Sequence, residues 1–287
     1  ISPSHIRGIC KLKTFTAAVI QFRGSGEPNE DLGQFERMVR EAASSEASLI
    51  CGPEYVYYSG DTCALEKLAT PVPGPISDRF SALARECSVY LCPGTIPEYN
   101  SRGKPYNTLL LFSPEGALLG KYRKRHLFCA EIAGLGRVDE SDHLSAGDDP
   151  APVFDTELGR IGVSICYDLR FPEQFLRLAI GGAEIIVIPS AVTKPTGRAH
   201  WRLLCRARAV ETGCFLLAPN RTGVCGKDIE RYGHSLIVDP WGTVLADAGG
   251  TDGIIFATLR LELLSDVRSR LCSIEDRGPG DSLHDIE

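Results

Sequence analysis

The chain has 287 residues, 43% of them hydrophobic and 24% charged, the composition of a soluble globular protein with a sizeable core. A formal net charge of -6 without any block of like charge argues against a nucleic-acid partner. No apolar run reaches the roughly 18 residues that span a bilayer, so no membrane segment is expected.

The length exceeds the ~100–200 residues of an ordinary domain and by itself leaves one domain or two open. The chain starts at Ile1, and nothing acidic precedes Glu27 while Arg7, Lys11, Lys13 and Arg23 are basic. Residues 1–13 therefore read as a tail, with a transit-peptide remnant as the alternative. The eleven cysteines form an odd set with no C-x-x-C pair, which argues against a disulfide scaffold and a zinc ribbon. A reducing, cytoplasmic setting is the expectation, with a mitochondrial one as the alternative.

In chain order, "TFTAAVIQF" from Thr14 reads as a strand, "DLGQFERMVREAASS" as an amphipathic helix and "ASLICGPE" as a second strand ending in a Gly-Pro turn. "PISDRFSALAREC" supplies a helix and "VYLCPGTIPE" one further strand. "YNTLLLFSPEGALLGKYRKRHLF" holds two strands joined by a Ser-Pro-Glu-Gly turn and then a basic cluster. From Cys129 to Pro152 no period is visible, so a long loop is expected there.

Next come a second hairpin, "PVFDTELGRIGVSIC", a helix at "PEQFLRLAIGGA", a strand at "EIIVIPS", a helix at "AHWRLLCRARAVETG" and a strand at "CFLLAPN". The segment "YGHSLIVDPWGTVLADAGGTDGIIFATL" has the character of a β-meander turning at Pro240-Trp241-Gly242, and residues 276–287 read as a polar tail. Strands alternating with helices throughout give an α/β class.

The stretch "GVSICYDLRFPE" places Cys166 where a strand stops and a helix start, Pro172-Glu173, approaches. Backbone N–H groups near a helix start favour an anion, so a lowered thiol pKa and an oxyanion pocket are expected at this turn. The bland alternative, a small buried hydrophobe, applies to Cys166 as it does to Cys51, Cys87, Cys92 and Cys214. The Gly-x-Ser-x-Gly elbow is absent, because the positions read Gly162, Ser164 and Cys166. Among the histidines, His126, His200 and His234 sit in ordered contexts, and none is singled out locally as a base for a cysteine peptidase. Glu54 closes the second strand and Lys124 follows another; each alone is as readily a surface charge.

Taken as a set, "PE" after the second strand, "YRKRHLF", "ESDHLSAGD", "CYDLRFPE", "PSAVTKPTGRAHW", "RARAVET" and "YGHSLIVDPWG" resemble, in order, the nitrilase superfamily of carbon–nitrogen hydrolases. The resemblance runs from about Thr14 to Arg270. It implies a single α-β-β-α sandwich over residues 14–275, self-associated as a homodimer or higher oligomer through helices such as "PEQFLRLAI" and "AHWRLLCRARAVE".

The family's catalytic glutamate, lysine and cysteine fall on Glu54, Lys124 and Cys166, and its supporting glutamate on Glu140. Glu54 would act as base and acid, Cys166 as nucleophile, and Lys124 with the Tyr167 backbone N–H as oxyanion stabiliser, without metal or organic cofactor. Tyr55, Tyr167, Arg170 and Thr193, with Lys194 nearby, are candidate substrate contacts. Arg170 is expected to pair with Glu173, and His200 and Trp201 to pack.

The implied activity is hydrolysis of a small amide, either an ω-amide or a deaminated-glutathione-like amide. A nitrilase, an N-carbamoyl amino acid hydrolase and a catalytically silent scaffold are the alternatives. The chain departs from the family pattern at Cys129 and Ala133, in a loop expected to border the pocket and bear on specificity, and at Gly52, where a local backbone change beside Glu54 is expected.

Overall fold

A computed structural model describes residues 14–58, 60, 62–132, 136–225 and 229–278; the tail expected at 1–13 and most of the one expected from 276 lie outside the described residues. The first half contains β1 (Thr14–Gln21), α1 (Pro28–Ser44), β2 (Ala47–Cys51), the single turn α2 (Leu65–Leu68), α3 (Pro75–Cys87), β3 (Tyr90–Cys92), β4 (Thr95–Glu98), β5 (Tyr106–Phe112) and β6 (Leu118–Arg123). A hairpin of β7 (Cys129–Ile132) and β8 (Gly136–Asp139) leads to the second half. There follow β9 (Val153–Thr156), β10 (Gly159–Val163), α4 (Pro172–Ile180), β11 (Ile185–Val187), the short turn α5 (Lys194–Thr196), α6 (Arg202–Thr212) and β12 (Phe215–Ala218). The chain closes with β13 (Thr222–Cys225), β14 (Ile229–Tyr232), β15 (Leu236–Val238), β16 (Val244–Asp247), β17 (Gly253–Arg260) and α7 (Glu262–Arg270).

Two sheets result. One runs β17-β1-β2-β3-β5-β4, with β6 also on β5; the other runs β16-β15-β12-β11-β10-β9. β1, β2 and β3 are mutually parallel, as are β10, β11 and β12, so these strands are apolar on both faces.

The period of two decides which layer each side chain joins. In β1, Phe15, Ala17 and Val19 point into the core between the sheets, while Ala18 and Ile20 pack under α1 and α3. In β11, Ile185 and Val187 enter that same central core, while Ile186 meets α4 and α6. The result is the expected four-layer α-β-β-α sandwich. Helix starts follow the local chemistry: Pro28, Pro75 and Pro172 each open a helix, where a missing N–H costs nothing.

Three expectations change. "VYLCPGTIPE" is two strands, because Gly94 turns at φ +99 and a Cβ there would overlap the Pro53 carbonyl. Cys129–Asp139 is a hairpin rather than a loop; its residues are largely exposed, so no apolar alternation announces the strands. The meander stops after β16. β17 crosses to the other sheet and pairs antiparallel with β1 over its whole length, Thr14↔Arg260 to Gln21↔Gly253. Among the described residues no helix is long and apolar enough to cross a membrane.

Candidate active site

The side chains with chemistry stand at strand ends, where a sheet's last residues and the turns after them face a common cleft. Glu54 follows β2 through Gly52-Pro53. A Cβ on Gly52 would meet the Pro93 carbonyl and the Phe35 ring, so the departure at Gly52 is a close backbone approach. Arg221, buried, donates from Nε to the Glu54 carbonyl at 3.1 Å and from its guanidinium to the Tyr55 carbonyl. That bond pins Tyr55 at φ +54, in the left-handed region.

Lys124 comes directly after β6, and Glu140 opens a 3-10 turn after β8. The Lys124 ammonium donates to Glu54 Oε1 at 2.9 Å and to Glu140 Oε2 at 2.7 Å. Glu140 is fixed from two further sides, accepting from the Tyr55 hydroxyl at 2.9 Å and the Phe128 N–H at 2.8 Å. Lys124 and Glu54 are fully removed from solvent, and Glu140 nearly so.

Cys166 shares the cleft. It follows β10 and starts a 3-10 turn (Cys166–Arg170) with φ +45, a left-handed conformation unusual for a non-glycine residue. Helix α4 begins only at Pro172, so the thiol is not at that helix's N-terminus.

The turn is held by Asp168. This buried carboxylate accepts from the Ile165 N–H at 3.0 Å, the Tyr122 hydroxyl at 2.9 Å and the His126 N–H at 3.2 Å, and lies 2.6 Å from His126 Nδ1. Because Tyr122 and His126 flank Lys124, this network ties the lysine's segment to the cysteine's turn.

The electrostatics correct the expectation of a lowered thiol pKa. Burial, and then the charges of Glu54 and Glu140, push the Cys166 thiol well above its usual range, with Lys124 and a backbone hydrogen bond to Ala191 acting against them. Cys166 therefore rests as a neutral thiol, hydrogen-bonded to Glu54. Burial and the neighbouring Glu140 also raise the Glu54 pKa, although Lys124 opposes this. For Lys124, burial works against the ammonium, but Glu140 and Glu54 outweigh it and hold the pKa well above the ordinary lysine value.

The cleft measures about 820 Å³ with the open solvent at its mouth included. Glu54, Glu140 and Cys166 line this cleft together with Arg170, His200 and Arg231. The exposed hairpin β7–β8 contributes Val138, and β13–β14 contributes Ile229 and Arg231.

Of the candidate contacts, Tyr55, Tyr167, Arg170 and Thr193 all line this space. Lys194 does not; it pairs with Glu230 at 2.6 Å. Arg170 meets His200 Nδ1 at 3.2 Å instead of Glu173. Trp201 packs as expected, buried with its Nε1 donating to the His234 carbonyl at 2.7 Å, and His200 is exposed on the cleft wall. His126, His200 and His234 meet Asp168, Arg170 and Asp247, and His200 lines the cleft that holds Cys166. Of the other two departures, Cys129 is exposed and its Sγ hydrogen-bonds to Asp139, and Ala133 lies outside the described residues.

Sequence reasoning missed Asn107, whose Nδ2 donates to Glu54 Oε1 at 2.8 Å from a buried position in β5. Its one local signal is an amide beside the leucine run of "YNTLLLF", since a buried polar side chain requires a partner.

A carbon–nitrogen hydrolase family model matches residues 16–269 of the chain. The chain is similar to omega-amidase NIT2 of Xenopus tropicalis, at 38% identity over 90% of this chain and 92% of that one. It is similar to the deaminated glutathione amidase of Mus musculus, at 36% identity over 91% and 83%. Among solved structures it superposes on the C. elegans NitFhit protein with a TM-score of 0.86 and 32% identity, spanning 93% of this chain and 65% of that longer one. Saccharomyces cerevisiae Nit3, a member of branch 10 of the nitrilase superfamily, gives a TM-score of 0.79 at 32% identity, over 90% and 94%.

Proposed function

The chain belongs to the carbon–nitrogen hydrolase family, and from that premise we propose that it is a cysteine-dependent amidase converting a small linear amide to a carboxylate and ammonia. The observation that carries the reading is the Glu54–Lys124–Glu140 contact set, whose two carboxylates line one cleft with Cys166.

In this mechanism the Glu54 carboxylate takes the proton of the neutral Cys166 thiol as Sγ bonds to the amide carbon and the carbonyl electron pair moves to oxygen. The oxyanion is met by the charge of Lys124 and by the N–H of Tyr167, whose place in the first turn leaves that donor without an intrahelical acceptor. Glu54 returns its proton to the amide nitrogen, the C–N bond breaks and ammonia leaves a thioester on Sγ. Glu54 then deprotonates a water that attacks the thioester carbon; the C–S bond breaks and the proton goes back to sulfur.

Arg170 and Arg231 on the cleft wall support a substrate with a carboxylate remote from its amide, as in an ω-amide of a dicarboxylate or a deaminated-glutathione-like amide. The names of the similar enzymes favour an amide over a nitrile or carbamoyl substrate. Ammonia release from a panel of ω-amides, deaminated glutathione, nitriles and carbamoyl amino acids tests the reading. Release from an amide that disappears in Cys166→Ala is expected, and release that persists in that variant overturns it.

A homodimer through the α4–α6 face is part of the proposal. Ile180, Leu203, Val210 and Trp241 are 53%, 68%, 42% and 54% exposed there, and the Trp241 turn is fastened to α6 by Arg206 Nε on the Gly242 carbonyl at 2.7 Å. An apolar patch of this kind marks an interaction surface. Sedimentation of wild type against Leu203→Glu, with only the variant monomeric, is the expected result. The free cysteines Cys51 and Cys92, register partners on neighbouring strands, fit a reducing cytoplasmic setting.

A further inference from the structure

We propose that Asn107 is a positioning residue that dictates which oxygen of the Glu54 carboxylate receives the Cys166 proton, an inference that rests on the reading of Glu54 as the base. Asn107 lies on the face of β5 that it shares with Leu109 and Leu111, two members of the core between the sheets. Its amide is fully buried. Nδ2 donates to Glu54 Oε1 at 2.8 Å, whereas Oδ1 is the one buried side-chain nitrogen or oxygen among the described residues that no donor reaches.

An amide in an apolar layer with half its bonding capacity unmet is a net cost to the fold. The bond to Glu54 is what the side chain does in return. Packing alone would be served by a leucine of similar volume, and the tie between β5 and the lysine segment is made by the Asn107 backbone carbonyl, which accepts the Lys124 N–H at 2.8 Å whatever the side chain is.

The direction of the amide follows from the charge it faces. Turned over, Asn107 would aim its carbonyl at the Glu54 carboxylate and leave both amide hydrogens without an acceptor. In the observed orientation Oε1 accepts from Asn107 and from Lys124 at 2.9 Å, so a proton on Oε1 would face two donors. Oε2 carries neither bond. The Sγ–H bond therefore breaks toward Oε2 while Sγ joins the substrate carbon, and Oε2 is the atom from which the proton later reaches nitrogen.

The groups that face Glu54 are Lys124 after β6, Glu140 after β8, Cys166 after β10, Asn107 on β5 and the Arg221 guanidinium on its carbonyl. Of these, Asn107 is the neutral side-chain donor that does not itself give up a proton in the proposed reaction. Removing it withdraws a bond that favours the ionised base, so the effect appears in the acid limb of the pH profile, a readout that loosened packing would leave in place.

The experiment measures pH profiles of kcat/KM, with kcat and KM, for wild type, Asn107→Leu, Asn107→Asp and Glu54→Gln, each checked for folding by near-ultraviolet circular dichroism. Asn107→Leu is expected to lower kcat about tenfold with KM within about threefold, and to move the acid limb up by about one pH unit. Asn107→Asp, isosteric but accepting where the wild type donates, is expected to move the limb in the same direction and decides the matter if the leucine variant does not fold. An acid limb and kcat equal to wild type in a folded Asn107 variant overturn the inference when Glu54→Gln is inactive. Activity retained in Glu54→Gln instead removes the reading of Glu54 as base.

Discussion

The Lys124 ammonium and the Glu54 carboxylate meet at 2.9 Å with both side chains out of solvent, and Glu140 closes on the same ammonium from the other side. One buried cation thus holds together two carboxylates that would repel without it.

Lys124→Met is accordingly expected to destabilise the fold by about 3–5 kcal/mol, because two buried carboxylates lose their compensation. Denaturant unfolding of wild type and variant at neutral pH measures this. Ammonia release is expected to vanish in the same variant; an unchanged unfolding midpoint would show that the cluster relaxes by taking up a proton instead.

Cys166 holds φ +45, a conformation that disfavours any residue with a Cβ by about 1–2 kcal/mol. Cys166→Gly should therefore melt above Cys166→Ala by the equivalent of up to about 1 kcal/mol, after the entropy that glycine returns to the unfolded chain. Thermal melts of the two inactive variants, side by side, give the comparison; equal melting points would mean that the turn relaxes once the thiol is gone.

The pH behaviour has a definite sign. As the proposed base, Glu54 would act only when ionised, and its pKa is raised by burial and by Glu140, so the acid limb of kcat/KM is expected above the ~4.3 of an ordinary glutamate. The same shift acts on stability in reverse. A carboxyl with a raised folded pKa contributes most below its unfolded value, and that contribution is lost as pH rises through the folded one. The Cys166 thiol, held up by burial and then by the Glu54 charge, is expected to titrate at lower pH in Glu54→Gln. Ultraviolet thiolate absorbance, with Cys166→Ala subtracted, measures the difference.

Arg170, hydrogen-bonded to His200, lines the same cleft as Cys166 and is the proposed partner of a substrate carboxylate. Arg170→Gln is expected to raise KM for an ω-amide bearing a carboxylate by about tenfold or more, with an uncharged amide of the same length affected far less. Equal effects on both substrates would assign Arg170 to bracing the turn after Cys166.

The helices and most strands were legible in the chain because their signals are local: apolar runs of strand length in β1 and β11, proline at the first turn of α1, α3 and α4. The order of the motifs singles out Glu54, Lys124, Glu140 and Cys166. What local signals could not carry is the choice of partner. β17 continues a hairpin pattern in sequence, yet its full register lies on β1, from Thr14↔Arg260 to Gln21↔Gly253 at the other end of the chain, and the exposed β7–β8 hairpin has no apolar alternation to announce it.

The site divides in the same way. The order of the motifs, a property of the chain, carried the resemblance that proposes Glu54 as base, Lys124 as cation and Cys166 as nucleophile. The direction of the Cys166 pKa, its left-handed turn, the meeting of Arg170 with His200 and the amide of Asn107 against Glu54 were decided only by the tertiary structure. A pKa depends on dielectric and distance, and an orphaned acceptor on what surrounds it. Both are set by residues far apart in sequence that packing brings within a few ångströms.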